Sequence, residues 1–411
     1  MQSINRKMTI LFISSLSESD KGGGAEQSLW NQIKALENKG HKCILLATSN
    51  HKGLKCTKVG ETSVWLANIR NLYWPYTNQK ISKAGKFIWH LLDVYNIFMQ
   101  NYVYKVVHME KPHIASIHNL PGWSGAVWRT LKNLHIPMLQ VLHDHYTCCP
   151  RATMSIDGKN CNLQCYQCKL LRFPHKYLSQ NVDAVVGVSN YILHRHLELG
   201  YFSQVPIKKV IYNSVDPQLV KSKTDYSEEQ HRIFKIGYIG RLDPAKGIER
   251  LIDAYLQANL PSAQLWIAGD GKEDYEKYLK TKASCDPRIV FMGRVKPSEF
   301  YPKINILVVP SICQESQGMV IPEAFAFGKP VIASKRGGIP EMINDGENGL
   351  LFDPDSVSEL ISCIHRVYYD QNLRYSLSKN SKKSSSYFLN IDSWVNAYEE
   401  LYRQVLHQNH E

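Results

Sequence analysis

Short apolar runs alternate with longer amphipathic segments along the whole chain, and this alternation restricts the fold more than any other feature. The first half contains runs at Thr9–Ser15, Cys43–Ser49, Ser63–Ala67, His113–His118, Pro137–His143, Ala184–Ser189 and Lys209–Tyr212. The second half contains runs at Lys235–Gly240, Gln264–Gly269, Ile289–Gly293, Ile306–Pro310, Pro330–Ser334 and Gly349–Phe352. Such runs, separated by helical patterns, indicate βαβ units. The predicted fold class is α/β, with two Rossmann-like domains, each a doubly wound parallel sheet.

The boundary between the two predicted domains lies at residues 213–232. Asn213 to Pro217 have turn chemistry, and the residues that follow are mostly polar and charged. We therefore predict an N-terminal domain over 1–212 and a C-terminal domain over 213–387. Residues 388–411 carry apolar side chains at helical spacing, so one face of this last helix needs burial.

Charge and hydropathy limit the partners and the location of the chain. The net charge of +12 suits anionic partners: phosphate-bearing substrates, an anionic membrane surface or nucleic acid. No nucleic-acid motif accompanies the charge, so the first two are favoured. No apolar run approaches the roughly 20 residues that span a bilayer. The first apolar run precedes a glycine-rich loop, Lys21–Gly24, instead of a cleavage site, so we expect a cytoplasmic protein.

The segment from Ile306 to Glu341 has the residues of an anion and sugar site. A buried strand leads into a polar loop with Glu315, and a helix over Val320–Gly328 follows with Glu323 in its first turn. Ligands of open α/β sheets bind where strands end and helices begin, and helix N-termini favour phosphate. A carboxylate can accept hydrogen bonds from vicinal sugar hydroxyls. The spacing alone fits equally well a solvated Glu315 and a Glu323 that only favours the helix dipole.

A second loop of the same half carries two cations. Arg241 and Lys246 follow the strand Lys235–Gly240 in a glycine-rich turn. Aimed at a diphosphate, they would neutralise its charge and stabilise it as a leaving group. The alternative is that Lys246, like most lysines that precede a helix, is solvated.

These motifs resemble glycosyltransferase family 4, which has the GT-B fold of two Rossmann-like domains facing across a cleft and which retains anomeric configuration. In the second half the resemblance rests on Gly240–Gly247, Ala268–Gly271, Phe291–Val295, Glu315 with Glu323–Ala324, and Gly328–Ser334. In the first half it rests on Gly22–Glu26, Gly40-His41, His118, His143 and Asn213–Asp216. It also implies that the helix in 388–411 crosses back to the N-terminal domain.

Roles on the donor side follow from the resemblance. Glu323 would bind the ribose, and Glu315 the transferred sugar. Arg241 and Lys246 would bind the diphosphate. The remaining donor-binding residues implied are Gly24, Arg294, Val295, Gly318, Met319 and Val320. Two positions depart from the family: Gln317 stands where an aromatic residue is common, and Ser214 stands where glycine is usual.

His118 and His143 end two successive predicted strands of the first half. A histidine there can hydrogen-bond a sugar hydroxyl, take a proton, or simply cap a loop. The resemblance makes His143 catalytic, together with Glu315, Arg241 and Lys246, and it places His118 and Asp144 on the acceptor side. Retention without a DxD metal site suggests front-face transfer, in which the leaving phosphate takes the acceptor's proton. No cofactor or metal is then required for catalysis.

An aromatic segment follows the third strand. Apolar residues between Ile81 and Met109 recur at helical spacing, with Lys80, Lys83, Lys86 and Lys105 among them. The main prediction is that most of this stripe is core. We also predict a basic, aromatic rim beside this core, which would rest on an anionic membrane, as in a peripheral protein, and receive a lipid-linked acceptor.

A cysteine cluster lies in the long loop after His143. Cys149, Cys161, Cys165 and Cys168 could bind structural zinc, because four thiolates can hold the ion tetrahedrally. The alternative is a set of free thiols in a reducing compartment.

The function predicted from the sequence is a metal-independent retaining hexosyltransferase. Its donor would be a nucleotide-diphospho-sugar, and its acceptor a lipid-linked glycan or another glycan in polysaccharide or lipopolysaccharide biosynthesis. A nucleotide-sugar 2-epimerase-like isomerase on the same fold is one alternative, and a non-catalytic sugar-binding homologue is another. The paired glutamates and paired cations favour transfer.

Overall fold

A computed structural model describes residues 7–17, 23–77, 81–156, 158–221 and 233–409. The chain forms two compact units. The first unit comprises Met1–Met154, Cys161–Tyr212 and Asp392–Glu411. The second unit comprises Ser155–Asn160 and Asn213–Ile391.

The first unit is built on an eight-stranded sheet. Its strands are β1 (Thr9–Ser14), β2 (Lys42–Ser49), β3 (Leu54–Val59), β4 (Thr62–Asn68), β5 (Ile114–Ile117), β6 (Met138–Leu142), β9 (Ala184–Gly187) and β10 (Ile207–Val210). They lie in the order β10-β9-β6-β5-β1-β2-β4-β3. All neighbours are parallel except β3, which pairs antiparallel with β4 at the edge. The central strands are buried on both faces, as expected of a parallel sheet with helices on each side.

Helices of the first unit connect these strands. They are α1 (Gly24–Asn38), α2 (Lys83–Leu92), α3 (Ile97–Glu110), α4 (Ala126–Asn133), α5 (Tyr166–Leu178), α6 (Asn190–Glu198) and, from the end of the chain, α14 (Ile391–Gln408). The apolar face of α14 is buried at Trp394, Val395, Tyr398, Leu401, Tyr402 and Val405. The Lys39 ammonium on the C-terminal side of α1 forms an ion pair with Glu399 of α14 at 2.7 Å. The last helix is therefore part of the first unit's core.

The second unit has a six-stranded, wholly parallel sheet in the order β13-β12-β11-β14-β15-β16. The strands are β11 (Phe234–Ile239), β12 (Ala263–Ala268), β13 (Ile289–Gly293), β14 (Ile306–Val309), β15 (Val331–Ser334) and β16 (Gly349–Phe352). The helices are α7 (Gln218–Lys221), α8 (Ile248–Ala258), α9 (Glu273–Ala283), α10 (Pro297–Phe300), α11 (Val320–Ala326), α12 (Val357–Tyr369) and α13 (Gln371–Leu389). A two-residue hairpin, β7 (Ser155–Ile156) with β8 (Lys159–Asn160), belongs to this unit, where Asn160 Nδ2 donates to Ile312 O at 2.8 Å.

The prediction of an α/β fold with two Rossmann-like sheets is confirmed. Each apolar run singled out in the sequence forms a strand, with ends that differ by a few residues at most. The edge strand β3 and the hairpin β7–β8 were not predicted. No helix in the described part of the chain is both long and apolar enough to span a bilayer.

The prediction that the 81–109 stripe is mostly core is wrong. The segment forms two helices, α2 and α3, separated at residues 93–96, because Asp93 ends the first. Asp93 is fully buried and accepts hydrogen bonds from Gly122 N and Tyr146 Oη, so the chain turns inward there. The apolar side chains left exposed are Phe87, Ile88, Leu91, Leu92, Tyr95, Ile97, Phe98 and Met109. Lys80 lies outside the described residues.

Candidate functional site

Lys246 and Glu315 meet where two strands of the second sheet end. Lys246 closes a short 3₁₀ turn after β11, and Glu315 lies in the loop after β14, the neighbouring strand. The Lys246 ammonium is 2.6 Å from Glu315 Oε1, and the Ser311 hydroxyl donates to the same oxygen at 2.6 Å. The parallel topology brings these loops to one edge of the sheet, as expected for a ligand site in this class.

Two glycines allow the loops to approach. A Cβ on Gly247, whose φ is +72°, would lie 1.9 Å from Pro310 O. A Cβ on Gly337, whose φ is +57°, would lie 2.0 Å from Glu315 O. The backbone around Glu315 is also held by Gly338 N, which donates to Glu315 O at 2.8 Å. Any larger residue at either glycine would push Glu315 or its neighbouring loop out of place.

The electrostatics of the pair keep both groups charged. Burial acts to lower the pKa of Lys246, but the Glu315 carboxylate outweighs it and the pKa is raised. Burial acts to raise the pKa of Glu315, but Lys246 and the Ser311 hydrogen bond bring it below its usual value. The Arg241 guanidinium adds a smaller effect in the same direction on Glu315. Without a ligand, the pair is a closed ion pair at neutral pH.

Glu323 is held separately. Its Oε2 accepts a hydrogen bond of 2.8 Å from the hydroxyl of Tyr301. Tyr301 is a buried residue in the segment of the chain that connects β13 to β14. Burial raises the pKa of Glu323 to about 7, although the Tyr301 hydrogen bond opposes the change. The carboxyl group therefore titrates in the physiological range. Neither Tyr301 nor Ser311 was identified from the sequence, where Tyr301 reads as an ordinary core aromatic.

The turn before α11 contains Gly318, Met319 and Val320. Gly318 has φ +83°, and Met319 is the residue that precedes the first helical position. The helix ends at Ala326, two residues before the predicted end. Gln317, the residue that replaces the family's aromatic side chain, is buried and forms two hydrogen bonds with the backbone of Asn213. Its amide therefore fastens the loop to the start of the second unit instead of lining a ligand space.

Other donor-side residues lie near the surface of their loops. Arg241 is exposed, and its carbonyl oxygen accepts from the Tyr238 hydroxyl at 2.8 Å. Arg294, after β13, is exposed and is paired with Asp270 at 2.9 Å, while Val295 is partly buried. Gly24 is exposed at the start of α1 in the first unit. Lys21 and Gly22 of the predicted glycine-rich loop lie outside the described residues.

His118 and His143 are in direct contact in the first unit. Their rings stack, and His118 Nδ1 lies 2.9 Å from His143 Nε2. His118 Nε2 lies 3.1 Å from Ser116 Oγ, which accepts from the Tyr402 hydroxyl at 3.0 Å. Gln32 Nε2 donates to that hydroxyl at 3.0 Å. A buried hydrogen-bond chain thus connects His143 to α14, and we call these five residues the histidine relay.

Burial governs the charge of this region. It lowers the pKa of His143 to about 4, and together with the nearby His143 it lowers the pKa of His118 well below its usual value. It raises the pKa of the neighbouring Asp144 to about 6, against the hydrogen bond from Tyr146 N. Both rings are therefore neutral at pH 7 and can act as hydrogen-bond donors or acceptors. A small cavity bordered by His118, His143 and Asp144 has room for about one water molecule.

Of the four predicted zinc cysteines, Cys149 and Cys168 are in contact in the structure. The sulfurs of Cys149 and Cys168 lie 3.8 Å apart, and both residues are buried. Cys161 and Cys165 are partly exposed in the same loop. Within the described ranges, the one group of three or more potential metal ligands with atoms within 4.8 Å of each other is a different one, His145, Cys148 and His196. The four-cysteine site stays a prediction.

Two sequence profiles match the chain. Glycosyltransferase Family 4 matches residues 22–219, and Glycosyl transferases group 1 matches residues 224–384. Together they cover most of both units, and the chain belongs to glycosyltransferase family 4.

Similar proteins agree with this assignment. An uncharacterised 42.6 kDa protein of the cps region of Klebsiella pneumoniae is 29% identical over 82% of this chain and 87% of its own. The lipopolysaccharide core biosynthesis glycosyltransferase LpsE of Rhizobium meliloti is 28% identical over 54% of this chain and 64% of its own. Anabaena HepE, solved with UDP and glucose, superposes with a TM-score of 0.72 at 21% identity, over 96% of this chain and 99% of that one. The HepE likeness shows the fold alone, and it confirms the predicted GT-B fold.

Proposed function

We propose that this glycosyltransferase is a retaining hexosyltransferase that uses a nucleotide-diphospho-sugar. The observation that carries the proposal is the Lys246–Glu315 ion pair at the carboxyl edge of the second sheet. A diphosphate that enters this edge would draw the Lys246 ammonium toward itself and release Glu315. The freed carboxylate can then accept hydrogen bonds from sugar hydroxyls. The pair thus holds both binding groups ready in the absence of donor.

The proposed reaction needs no side-chain nucleophile. The bond between the anomeric carbon and the diphosphate oxygen breaks as the acceptor oxygen approaches from the same face. A bond forms between the anomeric carbon and the acceptor oxygen, and the acceptor's proton passes to the leaving diphosphate. Lys246 and Arg241 would stabilise the charge that develops on the diphosphate. His143, neutral at pH 7, would hydrogen-bond the transferred sugar.

Glu323 would hold the ribose in this proposal. A carboxylate on a vicinal diol makes two charge-assisted hydrogen bonds, and the Tyr301 hydroxyl fixes its orientation. Anabaena HepE has been solved in complex with UDP and with UDP-glucose, which supports a donor of this class. LpsE is a glycosyltransferase of lipopolysaccharide core biosynthesis, and the Klebsiella relative comes from a cps region. Both relatives support a glycan or lipid-linked acceptor in polysaccharide or lipopolysaccharide biosynthesis.

The proposal is tested by donor binding. Lys246→Ala should weaken nucleotide-sugar binding about tenfold or more in calorimetry, because it removes a charge-assisted contact. Lys280→Ala is the matched control, since Lys280 is an exposed lysine of α9 with only a 3.9 Å pair to Glu276. Wild-type affinity in a folded Lys246→Ala protein would refute the site assignment.

Product analysis separates transfer from the two alternatives. With donor and acceptor glycans, mass spectrometry should find a glycan heavier by one hexose, and nuclear magnetic resonance should find the donor's anomeric configuration. Isomerised nucleotide-sugar without acceptor would favour the 2-epimerase. Tight donor binding with no product would favour the sugar-binding homologue.

We also propose that the protein works as a peripheral protein on the cytoplasmic face of an anionic membrane. Phe87, Ile88, Leu91 and Phe98 are exposed on α2 and α3, and Lys83 and Lys86 are exposed beside them. Exposed apolar side chains with adjacent lysines suit an acidic lipid surface. Vesicles containing phosphatidylglycerol should sediment the protein and neutral vesicles should not. Equal sedimentation would remove the electrostatic part of the proposal.

A further inference from the structure

Three potential metal ligands converge inside the first unit, in a group that contains none of the four predicted zinc cysteines. His145 and Cys148 lie in the segment that follows β6, and His196 lies in the last turn of α6. Their exposed fractions are 1%, 0% and 0%. One ring nitrogen of each histidine and the Cys148 sulfur lie within 4.8 Å of one another. Three ligating side chains from two segments are thus gathered in a site closed to solvent.

Two nitrogen atoms of this group have no partner. His196 Nδ1 lies 2.8 Å from the Ile192 carbonyl oxygen, and a carbonyl only accepts, so Nδ1 carries the proton. His196 Nε2 is then a bare lone pair, and it is buried without a hydrogen bond. His145 Nδ1 is also buried without a hydrogen bond, while its Nε2 faces the Tyr191 hydroxyl at 3.5 Å. Buried polar atoms rarely lack partners, so two in one cluster call for a ligand.

We propose that His145, Cys148 and His196 bind a zinc ion that braces the loop after β6. Neutral imidazoles and a thiolate are ligands that zinc takes in tetrahedral sites, at about 2.0–2.3 Å. Loading releases the Cys148 proton, so that the thiolate bonds to the ion, and both histidines bind through lone pairs.

Two details of the surroundings support the site. The second ring nitrogen of His196 is held by a backbone carbonyl, which is the usual arrangement for a metal-bound histidine. The Met154 sulfur lies 3.7 Å from Cys148 Sγ, so a thioether stands close to the proposed ion as well.

The consequence of binding is mechanical. The segment from His143 to Cys148 carries His143 and Asp144, and the proposed ion would fasten it to α6. This role does not depend on the reaction proposed above. The zinc ion would lie near His143 and Asp144 and would take no part in the proposed reaction.

Metal content and metal environment test the proposal on the whole chain. Purified, tag-free protein exposed to zinc and then desalted should retain about one zinc per chain. X-ray absorption at the zinc edge should show two nitrogen ligands and at least one sulfur. Four sulfur ligands would assign the ion to the other cysteines and overturn the proposal, as would a folded protein that retains no zinc.

Variants give a second readout. His196→Gln and Cys148→Ser should each lose the zinc and the increase in melting temperature that zinc gives the wild type. The control is Cys43→Ser, another buried cysteine of the first unit, which should keep both. Cys165→Ser should also keep the zinc, and its loss there would contradict the assignment. Should His196→Gln fail to fold, cobalt(II) titration of the wild type decides, because the absence of a thiolate-to-cobalt absorption band refutes the site.

Discussion

At the scale of single residues, the second unit uses two carboxylates in opposite electrostatic states. Glu315 is kept ionised by Lys246, and its pKa is lowered. Glu323 accepts a hydrogen bond from the Tyr301 hydroxyl and forms no ion pair with any described residue, and burial raises its pKa to about 7. The difference follows from what each side chain touches, and the spacing of the two glutamates in the sequence carries no sign of it. On the proposed role of Glu323 in holding the ribose, the affinity for donor should therefore depend on pH.

Donor affinity should therefore rise between pH 5.5 and pH 8 and level off above it. Only the ionised Glu323 can accept two hydroxyl hydrogen bonds, and below its pKa the affinity should change by up to about tenfold per pH unit. Glu323→Gln should bind donor more weakly and lose this dependence. Calorimetry across this range measures both, with Glu299→Gln as the exposed control.

The contribution of Glu323 to folding stability should depend on pH in the opposite direction from its contribution to donor affinity. A folded-state pKa raised above the unfolded value means that stability is fully present below about pH 4.5 and is lost as pH rises through about 7. Glu323→Gln should therefore be more resistant to urea than the wild type at pH 8, and no more resistant at pH 4.5. Equal resistance at pH 8 would mean that Glu323 is not desolvated.

The histidine relay indicates that Tyr402, a residue of α14, positions His143 through Ser116 and His118. Tyr402→Phe removes the hydroxyl that joins Gln32 to Ser116, so His118 and His143 lose a fixed partner chain. We expect kcat to fall several-fold with little change in KM for donor, and stability to fall by about 1–2 kcal/mol. Tyr398→Phe, one turn earlier on the same buried face, is the control because its hydroxyl is not in the relay. An unchanged kcat with the same stability loss would leave Tyr402 a purely structural residue.

At the scale of elements, the sequence predicts buried strands well and exposed ones poorly. Runs such as Ile306–Val309 are apolar throughout, because they are covered on both faces. Strand β3 has five exposed residues and includes Lys55 and Lys58, so it has no hydrophobic pattern to detect. Its pairing with β4 comes from backbone hydrogen bonds at a sheet edge, where lysines are common.

The candidate site shows the same division. Motif residues such as Lys246 and Glu315 could be found because their types and positions after strands indicate the chemistry. The residues that support the site could not be found in this way, because Tyr301 is 22 residues from Glu323 and Tyr402 is 286 residues from Ser116 in the sequence, and buried tyrosines are common in any core. The replacement Gln317 was recognised as a departure, but its bond to the Asn213 backbone depends on tertiary packing.

The last helix predicts an effect on the whole first unit. Its face from Trp394 to Val405 is buried, and Glu399 pairs with Lys39. A chain that ends before Asp392 should lose activity and bind a hydrophobic dye, because a core face is uncovered. Size-exclusion chromatography and dye fluorescence measure this. An active, compact monomer would show instead that the stripe serves an oligomer contact.

At the scale of the whole molecule, a positive net charge accompanies a donor that is proposed to be anionic. The net charge of +12 favours encounter with a diphosphate and with acidic lipid. It also offers a way to neutralise the leaving group without a divalent ion. Lys246 lies in the loop after β11 with Arg241, so two fixed cations stand at the edge where the donor is proposed to bind.

Activity should therefore survive a chelator that removes free divalent ions. Brief treatment with EDTA should leave the initial rate within about twofold, because the developing charge of the diphosphate is met by Lys246 and Arg241. The zinc content must be measured in the same samples, since a slow loss of a buried structural ion would reduce activity through the fold. A prompt loss of activity that magnesium or manganese restores, while zinc content and melting temperature stay constant, would mean that the leaving group is stabilised by a metal and not by these side chains.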